Sequence, residues 1–210
     1  MELYPISLNV KNKKCVVVGG GNVAERKVKS LLACSANIYV ISPQITKNIE
    51  DLSLYKKISW LKEEFAPNLI HDSFLVIAAT NNRIINEEIS KYCEKNNILV
   101  NVIDSMENSN FIVNATMKQN DLVISVSTSG KSPALARKIK EELKLKYGKE
   151  YGILLEILGE TRELVKANIS DENLRKEFFT KVIDTEILDL IKQEKVIEAK
   201  RRVKSWLLSH

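Results

Sequence analysis

A glycine-rich segment near the start of the chain could bind a phosphate group. Gly19, Gly21 and Ala24 occupy the small positions of the pattern Gly-x-Gly-x-x-Ala, which follows the apolar run 15–18. Glycines at such a turn let the backbone approach a pyrophosphate, and the N–H groups at the start of the next helix can hold it. The same residues could form a turn that merely connects a strand to a helix. The apolar run before the glycines and the helical pattern after them favour a dinucleotide site with Gly19 and Gly21 as contacts.

Two polar residues follow other apolar runs, at positions where a sheet would bind a ligand. Thr80 comes after the run 74–79, and Asp104 comes after the run 98–102. Because ligands bind outside the carboxyl ends of parallel strands, Thr80 could contact a cofactor. Asp104 could accept a proton as a neighbouring carbon loses hydride. Alternatively, the asparagines after Thr80 only cap the next helix. Asp104 could likewise only begin a turn, and its position alone favours this interpretation.

A third candidate site is the hydroxyl-rich loop 127–131, which precedes a predicted helix. Ser132 is expected to cap this helix and Pro133 to take its first position, while Arg137 lies further along it. The start of a helix favours anions, so the loop could hold carboxylates of a substrate. It could equally be a well-capped helix with a solvated face, and the residues alone leave both interpretations open.

The end of the second predicted strand bears on which dinucleotide would bind. An acidic residue ordinarily stands there and holds the adenosine ribose. In this chain the position is Ser42, followed by Pro43 and Gln44, and no basic residue stands at 42–45 to pair with a 2′-phosphate. We therefore predict NAD rather than NADP.

The elements that must position these residues alternate between apolar runs and amphipathic stretches, as in βα units around a parallel sheet. Five strands are predicted, at 14–18, 38–41, 58–61, 74–79 and 98–102. The almost uninterrupted apolar run 74–79 is expected to be central. A helix is predicted at 22–33, with Val23, Ala24 and Val28 on its inner face.

The pattern changes after Asp104. Two further strands are predicted at 111–117 and 122–126, joined by a hairpin turn at 118–121. From Lys149 onward only helical patterns occur, with breaks expected near Gly159, Ser170 and Thr185. We therefore predict an α/β fold, in which a Rossmann-type parallel sheet is followed by a small α/β region and a C-terminal helical domain.

Composition excludes several classes of function. The chain has 210 residues, a net charge of +5 and only 6% aromatic residues, with its basic residues interleaved among acidic ones. This distribution argues against nucleic acid, whereas a small polyacid, or solubility alone, accounts for the charge. No apolar run approaches the roughly 20 residues that span a bilayer, and no signal-peptide pattern is present. Cys15, Cys34 and Cys93 lack metal-ligand spacing, so we predict a cytoplasmic protein with no metal site and no membrane contact.

Five segments of the chain resemble, in order, the N-terminal half of siroheme synthase. They are residues 3–6, 18–27, 78–81, 101–104 and 127–137. The combination of Ala-Glu-Arg-Lys at 24–27 with Ser-Pro-x-Leu-Ala-Arg at 132–137 is far more specific than a nucleotide motif.

This resemblance implies a precorrin-2 dehydrogenase, which oxidises precorrin-2 to sirohydrochlorin with NAD on the way to siroheme or cobalamin. It implies cofactor contacts at Asn22, Val23, Pro43 and Gln44. It assigns the essential aspartate to Asp104, which reverses the preference for a simple turn, and we hypothesise that Asp104 is the general base. A loop serine that is functional in some relatives falls at Ser127 or Thr128. We expect Lys131 and Arg137 to contact carboxylates of the substrate.

The resemblance also implies an organisation into three parts. These are an NAD-binding Rossmann domain at 1–113, a dimerisation region at 114–148 and a helical domain at 149–210, so a homodimer is expected. The chain ends before the methyltransferase domain of siroheme synthase, and that activity is expected to be absent. Two alternatives remain: an enzyme that also inserts Fe²⁺ into sirohydrochlorin, and a non-catalytic dinucleotide-sensing module. The sensing module would bind NAD without a tetrapyrrole and gives no role to residues 127–137.

Overall fold

The computed structural model describes residues 3–184 and 186–208 of the chain. They form two compact units, and the boundary between the units falls between Val113 and Asn114. Within the described ranges, no helix is both long and apolar enough to cross a membrane.

The first unit is built on a five-stranded parallel sheet with the order β3-β2-β1-β4-β5. The strands are β1 (Lys14–Val18), β2 (Asn37–Ile41), β3 (Ser59–Leu61), β4 (Leu75–Ala78) and β5 (Leu99–Val102). The predicted parallel sheet is confirmed, and each strand begins or ends within one residue of its expected bounds. The run 74–79 gives the interior strand β4, while β1 takes the middle position between β2 and β4.

Strand β1 is buried on both faces, which explains its continuous apolar sequence. Val17 lies in one apolar cluster with Val28 and Ile38. Val16 lies in the cluster on the other face, with Val76 and Ile89. The carboxyl end of β1, where the glycines follow, is therefore held by the core of the unit.

Three α-helices lie between these strands: α1 (Asn22–Leu32), α2 (Lys47–Leu54) and α3 (Arg83–Lys95). Helix α1 buries Ala24 and Val28 as expected. Val23 does not lie on the inner face as predicted; it is 37% exposed, because it occupies the first turn of α1 and lines an open cavity. The sequence analysis did not identify α2, which is only eight residues long.

The second unit begins with an antiparallel pair, β6 (Ala115–Gln119) and β7 (Leu122–Val126), followed by α4 (Pro133–Lys146). Strand β6 starts four residues later than predicted and extends through Gln119, so the turn is only Asn120 and Asp121. Asn120 has a φ of +51°, a left-handed conformation that asparagine tolerates and that tight hairpin turns require.

The described remainder of the second unit is helical and comprises α5 (Lys149–Asn168), α6 (Glu172–Asp184), α7 (Ile187–Lys192) and α8 (Val196–Leu208). The break predicted near Gly159 is wrong, since α5 continues through that residue. A single helical glycine costs about 1 kcal/mol, which burial of Ile157 and Val165 on the same helix offsets. The break near Ser170 is confirmed, and the one at Thr185 lies outside the described residues.

Candidate active site

The carboxyl edge of the parallel sheet carries an open cavity of about 920 Å³. It lies at the point where the strand order reverses, since β1 has its successor β2 on one side and β4 on the other. Eight residues selected from the sequence line it: Gly19, Gly21, Asn22, Val23, Pro43, Gln44, Thr80 and Asp104. The structure thus brings the predicted cofactor residues together with the predicted base.

The three glycines that follow β1 meet different surroundings. Gly19 has a φ of +117°, and a Cβ there would lie 2.4 Å from the carbonyl oxygen of Ala79. A Cβ on Gly20 would lie 1.8 Å from the carbonyl oxygen of Gln44. A Cβ on Gly21 would meet nothing within 4 Å. Packing of the protein backbone therefore requires the first two glycines, whereas Gly21 faces open space in the cavity.

The start of α1 is the best anion-binding feature of this cavity. Its N-cap residue is Gly21, and no described side chain caps the helix, whereas Thr46 caps α2 and Asn82 caps α3. The N–H groups of the first turn, which includes Asn22 and Val23, therefore have no side-chain acceptor. Such donors, together with the helix dipole, fit a phosphate group. The residues present thus fit the pyrophosphate of a dinucleotide.

The loop after β2 is fixed against the glycine turn. The Ser42 hydroxyl donates to the carbonyl oxygen of Gln44 at 2.7 Å, and the Trp60 indole N–H donates to the Ser42 carbonyl at 2.9 Å. The Thr46 N–H donates to the carbonyl oxygen of Gly20 at 3.0 Å. Ser42 therefore does not simply replace the usual acidic residue; its hydroxyl shapes the loop that presents Pro43 and Gln44.

Glu25, a partly buried carboxylate that the sequence analysis did not select, joins α1 to α2. Glu25 accepts hydrogen bonds from Lys29 at 2.5 Å, Thr46 at 2.7 Å and Asn48 at 2.8 Å. These donors, Lys29 first and Thr46 second, lower the pKa of Glu25 to about 2. The signal was present in the sequence, since Glu25 belongs to the Ala-Glu-Arg-Lys segment that carries the resemblance.

The charges that line the cavity are acidic. Glu64, which follows β3, and Asp104 are both lining residues, and no lysine or arginine occurs among the described lining residues. Glu64 was not selected from the sequence, because its place beside the loop after β2 depends on the parallel pairing of β2 with β3. A cavity without a cation offers no partner for a 2′-phosphate.

Thr80 and Asn82 make hydrogen bonds within the protein at the start of α3. The Asn82 side chain accepts from the Ile84 N–H at 3.0 Å, which confirms the predicted cap of α3. The Thr80 hydroxyl donates to the Asn86 side chain at 2.8 Å and accepts from the Asn82 N–H at 3.1 Å. Thr80 still lines the cavity, so its contact with a cofactor stays a prediction.

Asp104 lies in a turn and lines the cavity at the same time. The turn is closed by a hydrogen bond of 3.2 Å from the Ser105 N–H to the Val102 carbonyl, and Asp104 has a φ of +60° within it. The Ile103 N–H donates to the Ala78 carbonyl at 3.0 Å, which ties the turn to the end of β4. Asp104 therefore lies both in the predicted turn and at the predicted ligand-binding edge, while its role as a base stays a prediction.

The other four selected residues, Ser127, Thr128, Lys131 and Arg137, belong to the second unit. The Thr128 hydroxyl donates to the Ser132 carbonyl at 3.0 Å and accepts from the Ser132 N–H at 3.2 Å, while Ser127 accepts from a backbone N–H at 3.1 Å. Ser132 caps α4, as predicted. Lys131 and Arg137 are exposed, and the contact of these four residues with a substrate stays a prediction.

The parallel sheet, the glycine turn and the uncapped helix define a dinucleotide-binding domain of the Rossmann type. Residues 6–115 match the family model described as putative NAD(P)-binding. This match covers more than half of the chain, which therefore belongs to that family. Residues 119–144 match the central region of a sirohaem biosynthesis protein, and residues 150–207 match the sirohaem synthase dimerisation region. The family match confirms the prediction of a nicotinamide dinucleotide cofactor.

The similar proteins extend this assignment along the chain. Siroheme synthase of Vesicomyosocius okutanii is 34% identical over 207 residues, which are 99% of this chain and 44% of that protein. Siroheme synthase of Neisseria meningitidis is 32% identical over 99% of this chain and 43% of its own length. The solved structure of SirC, precorrin-2 dehydrogenase, has a TM-score of 0.78 and 27% identity and covers 95% of this chain and 100% of its own. The chain thus spans less than half the length of these siroheme synthases, and the predicted resemblance and fold are confirmed.

Proposed function

We propose that this protein catalyses the NAD-dependent dehydrogenation of precorrin-2 to sirohydrochlorin. The observation that carries the proposal is the similarity to SirC, precorrin-2 dehydrogenase, which extends over the whole of that chain and both units of this one. The cavity supports it independently, since it combines an anion-binding helix start with a carboxylate at one edge of one sheet.

The chain's own residues would hold the dinucleotide as follows. The N–H groups at the start of α1 would bind the pyrophosphate, and the open face of Gly21 would let it approach. The loop with Pro43 and Gln44 would contact the adenosine side, where Glu64 would repel a 2′-phosphate and so favour NAD over NADP. When bound, NAD supplies the acceptor for a hydride from the substrate.

Asp104 would act as the general base. Dehydrogenation removes a hydride and a proton from the substrate, and a carboxylate beside the cofactor can take the proton. Asp104 is exposed and lines the cavity, so it can reach both a substrate and solvent. Precorrin-2 is a polycarboxylate, and we propose that Ser127, Thr128, Lys131 and Arg137 contact its carboxylates.

The direct test is an anaerobic assay with purified protein, precorrin-2 and NAD. We expect NADH to form in step with the absorbance of sirohydrochlorin, and NADP to support a slower reaction at equal concentration. Asp104→Ala should lower kcat by about a hundredfold or more, the usual contribution of a general base, and leave NAD binding unchanged, as measured by calorimetry. Binding of NAD without any turnover by the unmodified protein would instead favour the dinucleotide-sensing module.

A second activity, insertion of Fe²⁺ into sirohydrochlorin, is supported by the siroheme synthases that match this chain over 207 residues. Metal insertion expels pyrrole protons, and Asp104 could accept one of them. An assay with sirohydrochlorin and Fe²⁺ but without NAD separates this activity from the dehydrogenase.

We also propose a homodimer in the cytoplasm. The match of residues 150–207 to a sirohaem synthase dimerisation region supports the dimer, and its mass in solution, measured by light scattering, would test it. The three free cysteines, two of them buried, suit a reducing compartment.

A further inference from the structure

The turn that carries Asp104 is held by a side chain that neither the sequence analysis nor the proposed function uses. Asp104 has a φ of +60°, in the left-handed region that residues with a Cβ rarely adopt. Aspartate adopts this region more readily than most such residues, and surrounding contacts stabilise it there. The contacts of the residues on both sides of Asp104 therefore decide where its carboxylate lies.

Beside the backbone hydrogen bonds of Ile103 and Ser105, the hydroxyl of Ser109 makes two of those contacts. It accepts from the Val102 N–H at 2.9 Å and donates to the Ser105 carbonyl at 2.7 Å. Val102 and Ser105 are the first and last residues of the turn, so one hydroxyl joins its two ends. Ser109 is only 6% exposed, and no water can easily replace it there.

Ser109 is itself anchored independently of the turn. The next residue, Asn110, lies along the free edge of β5, where its side chain accepts from the Val100 N–H at 2.7 Å and donates to the Ile98 carbonyl at 3.0 Å. The Asn110 N–H also donates to the Val100 carbonyl at 3.0 Å. The edge strand thus fixes residue 110, and residue 110 fixes the Ser109 hydroxyl against the turn.

We propose that Ser109 is a positioning residue, which holds the left-handed Asp104 turn so that the carboxylate stays at the edge of the dinucleotide cavity. This inference rests on the proposed function, because it concerns the base of that reaction. Without the hydroxyl, the turn can relax toward the more common negative φ and move the carboxylate. Since misplacing a reacting group by about 1 Å can cost a hundredfold in rate, the effect falls on kcat.

The test compares variants of the full chain in the NAD-dependent assay. Ser109→Ala should lower kcat by about tenfold or more and leave the Kd for NAD unchanged. Ser109→Thr, which keeps the hydroxyl, should restore most of the rate. Should Ser109→Ala not fold, Ser109→Cys puts a slightly larger thiol in place of the hydroxyl, weakens both hydrogen bonds and should give an intermediate loss.

A matched control removes a similar hydroxyl that contacts the same loop from helix α3. Ser90 is 8% exposed, and its hydroxyl donates to the Asn108 carbonyl at 2.7 Å, away from the ends of the turn. Ser90→Ala should lower the melting temperature about as much as Ser109→Ala but leave kcat within twofold of the unmodified protein.

A double-mutant cycle separates positioning from general stability. In an Asp104→Asn background, Ser109→Ala should cause no further loss of kcat, because the group that Ser109 positions is already removed. An equal loss in both backgrounds would overturn the proposal, and so would full activity of Ser109→Ala. If Asp104→Ala itself retains full turnover, the proposed base fails first and the positioning role fails with it.

Discussion

At the scale of single residues, the three successive glycines of the turn are required for three different reasons. Gly19 needs a positive φ, Gly20 lies against the Gln44 carbonyl, and Gly21 faces open space. The first two requirements concern folding of the chain. The third concerns a bound molecule, so the functions can be separated by substitution.

Gly21→Ala is predicted to reduce NAD affinity by tenfold or more while the protein stays folded. The added methyl group meets no protein atom within 4 Å but occupies the space that a pyrophosphate would approach. The exchange of glycine for alanine at an N-cap costs about 1 kcal/mol or less. Calorimetric titration with NAD and a urea unfolding curve measure the two effects.

The matched control is Gly20→Ala. Its methyl group would lie 1.8 Å from the Gln44 carbonyl oxygen, so the loop after β2 must move. We expect a loss of about 1–3 kcal/mol or more in the free energy of unfolding, the size typical of overpacking. Equal NAD affinity for Gly21→Ala and the unmodified protein would contradict the placement of the pyrophosphate.

Glu64 is predicted to set the preference between the two nicotinamide dinucleotides. Glu64→Lys should raise affinity for NADP several-fold relative to NAD, because it replaces a repulsive charge by an attractive one at the cavity. Glu63→Lys makes the same change one residue earlier, outside the cavity lining, and should not alter the ratio. Dissociation constants for both dinucleotides, measured at low and high salt, test this, since screening should reduce the effect.

At the scale of elements, the contact between α1 and the start of α2 depends on the ionised Glu25. Its pKa falls from the ordinary 4.5 to about 2 in the folded protein, chiefly because of Lys29 and Thr46. A carboxylate with a lowered pKa stabilises the fold above its unfolded pKa, and this contribution is lost as the pH falls. The relevant window therefore runs from pH 4.5 down to about 2.

We predict that Glu25→Gln removes the part of the acid sensitivity that belongs to this window. Urea unfolding between pH 5 and pH 2 should show a steeper loss of stability for the unmodified protein than for the variant. Glu107→Gln, at an exposed glutamate in the loop after β5, controls for the loss of one carboxylate. Parallel curves for the unmodified protein and Glu25→Gln would show that the junction does not depend on this charge.

At the scale of the whole molecule, the net charge of +5 would attract the polycarboxylate substrate that we propose. The KM for precorrin-2 is predicted to rise with ionic strength while kcat changes little, because salt screens long-range attraction and not the chemistry. The KM for NAD, which carries less charge, should rise less. Steady-state kinetics at several salt concentrations distinguish this from a general loss of activity.

Much of the fold and part of the site could be predicted because the signals are local. The apolar runs predicted each strand of the parallel sheet within one residue, and the glycines after β1 marked the ligand-binding edge. Helix α2 was missed because a segment of eight residues is too short to show a clear helical periodicity. The false break at Gly159 shows a local preference overruled by helix packing.

The sequence by itself determined the succession along the chain of the seven described strands, the glycine turn and the position of Asp104 after β5, since these follow from periodicity and turn chemistry within short windows. Only the tertiary structure decided why Gly20 is glycine, how Glu25 joins two helices and how Ser109 holds the Asp104 turn. Each of these depends on a backbone or side-chain contact between segments that the chain brings together by folding. Such contacts are set by the geometry of the packed sheet and its loops, which no short stretch of sequence contains.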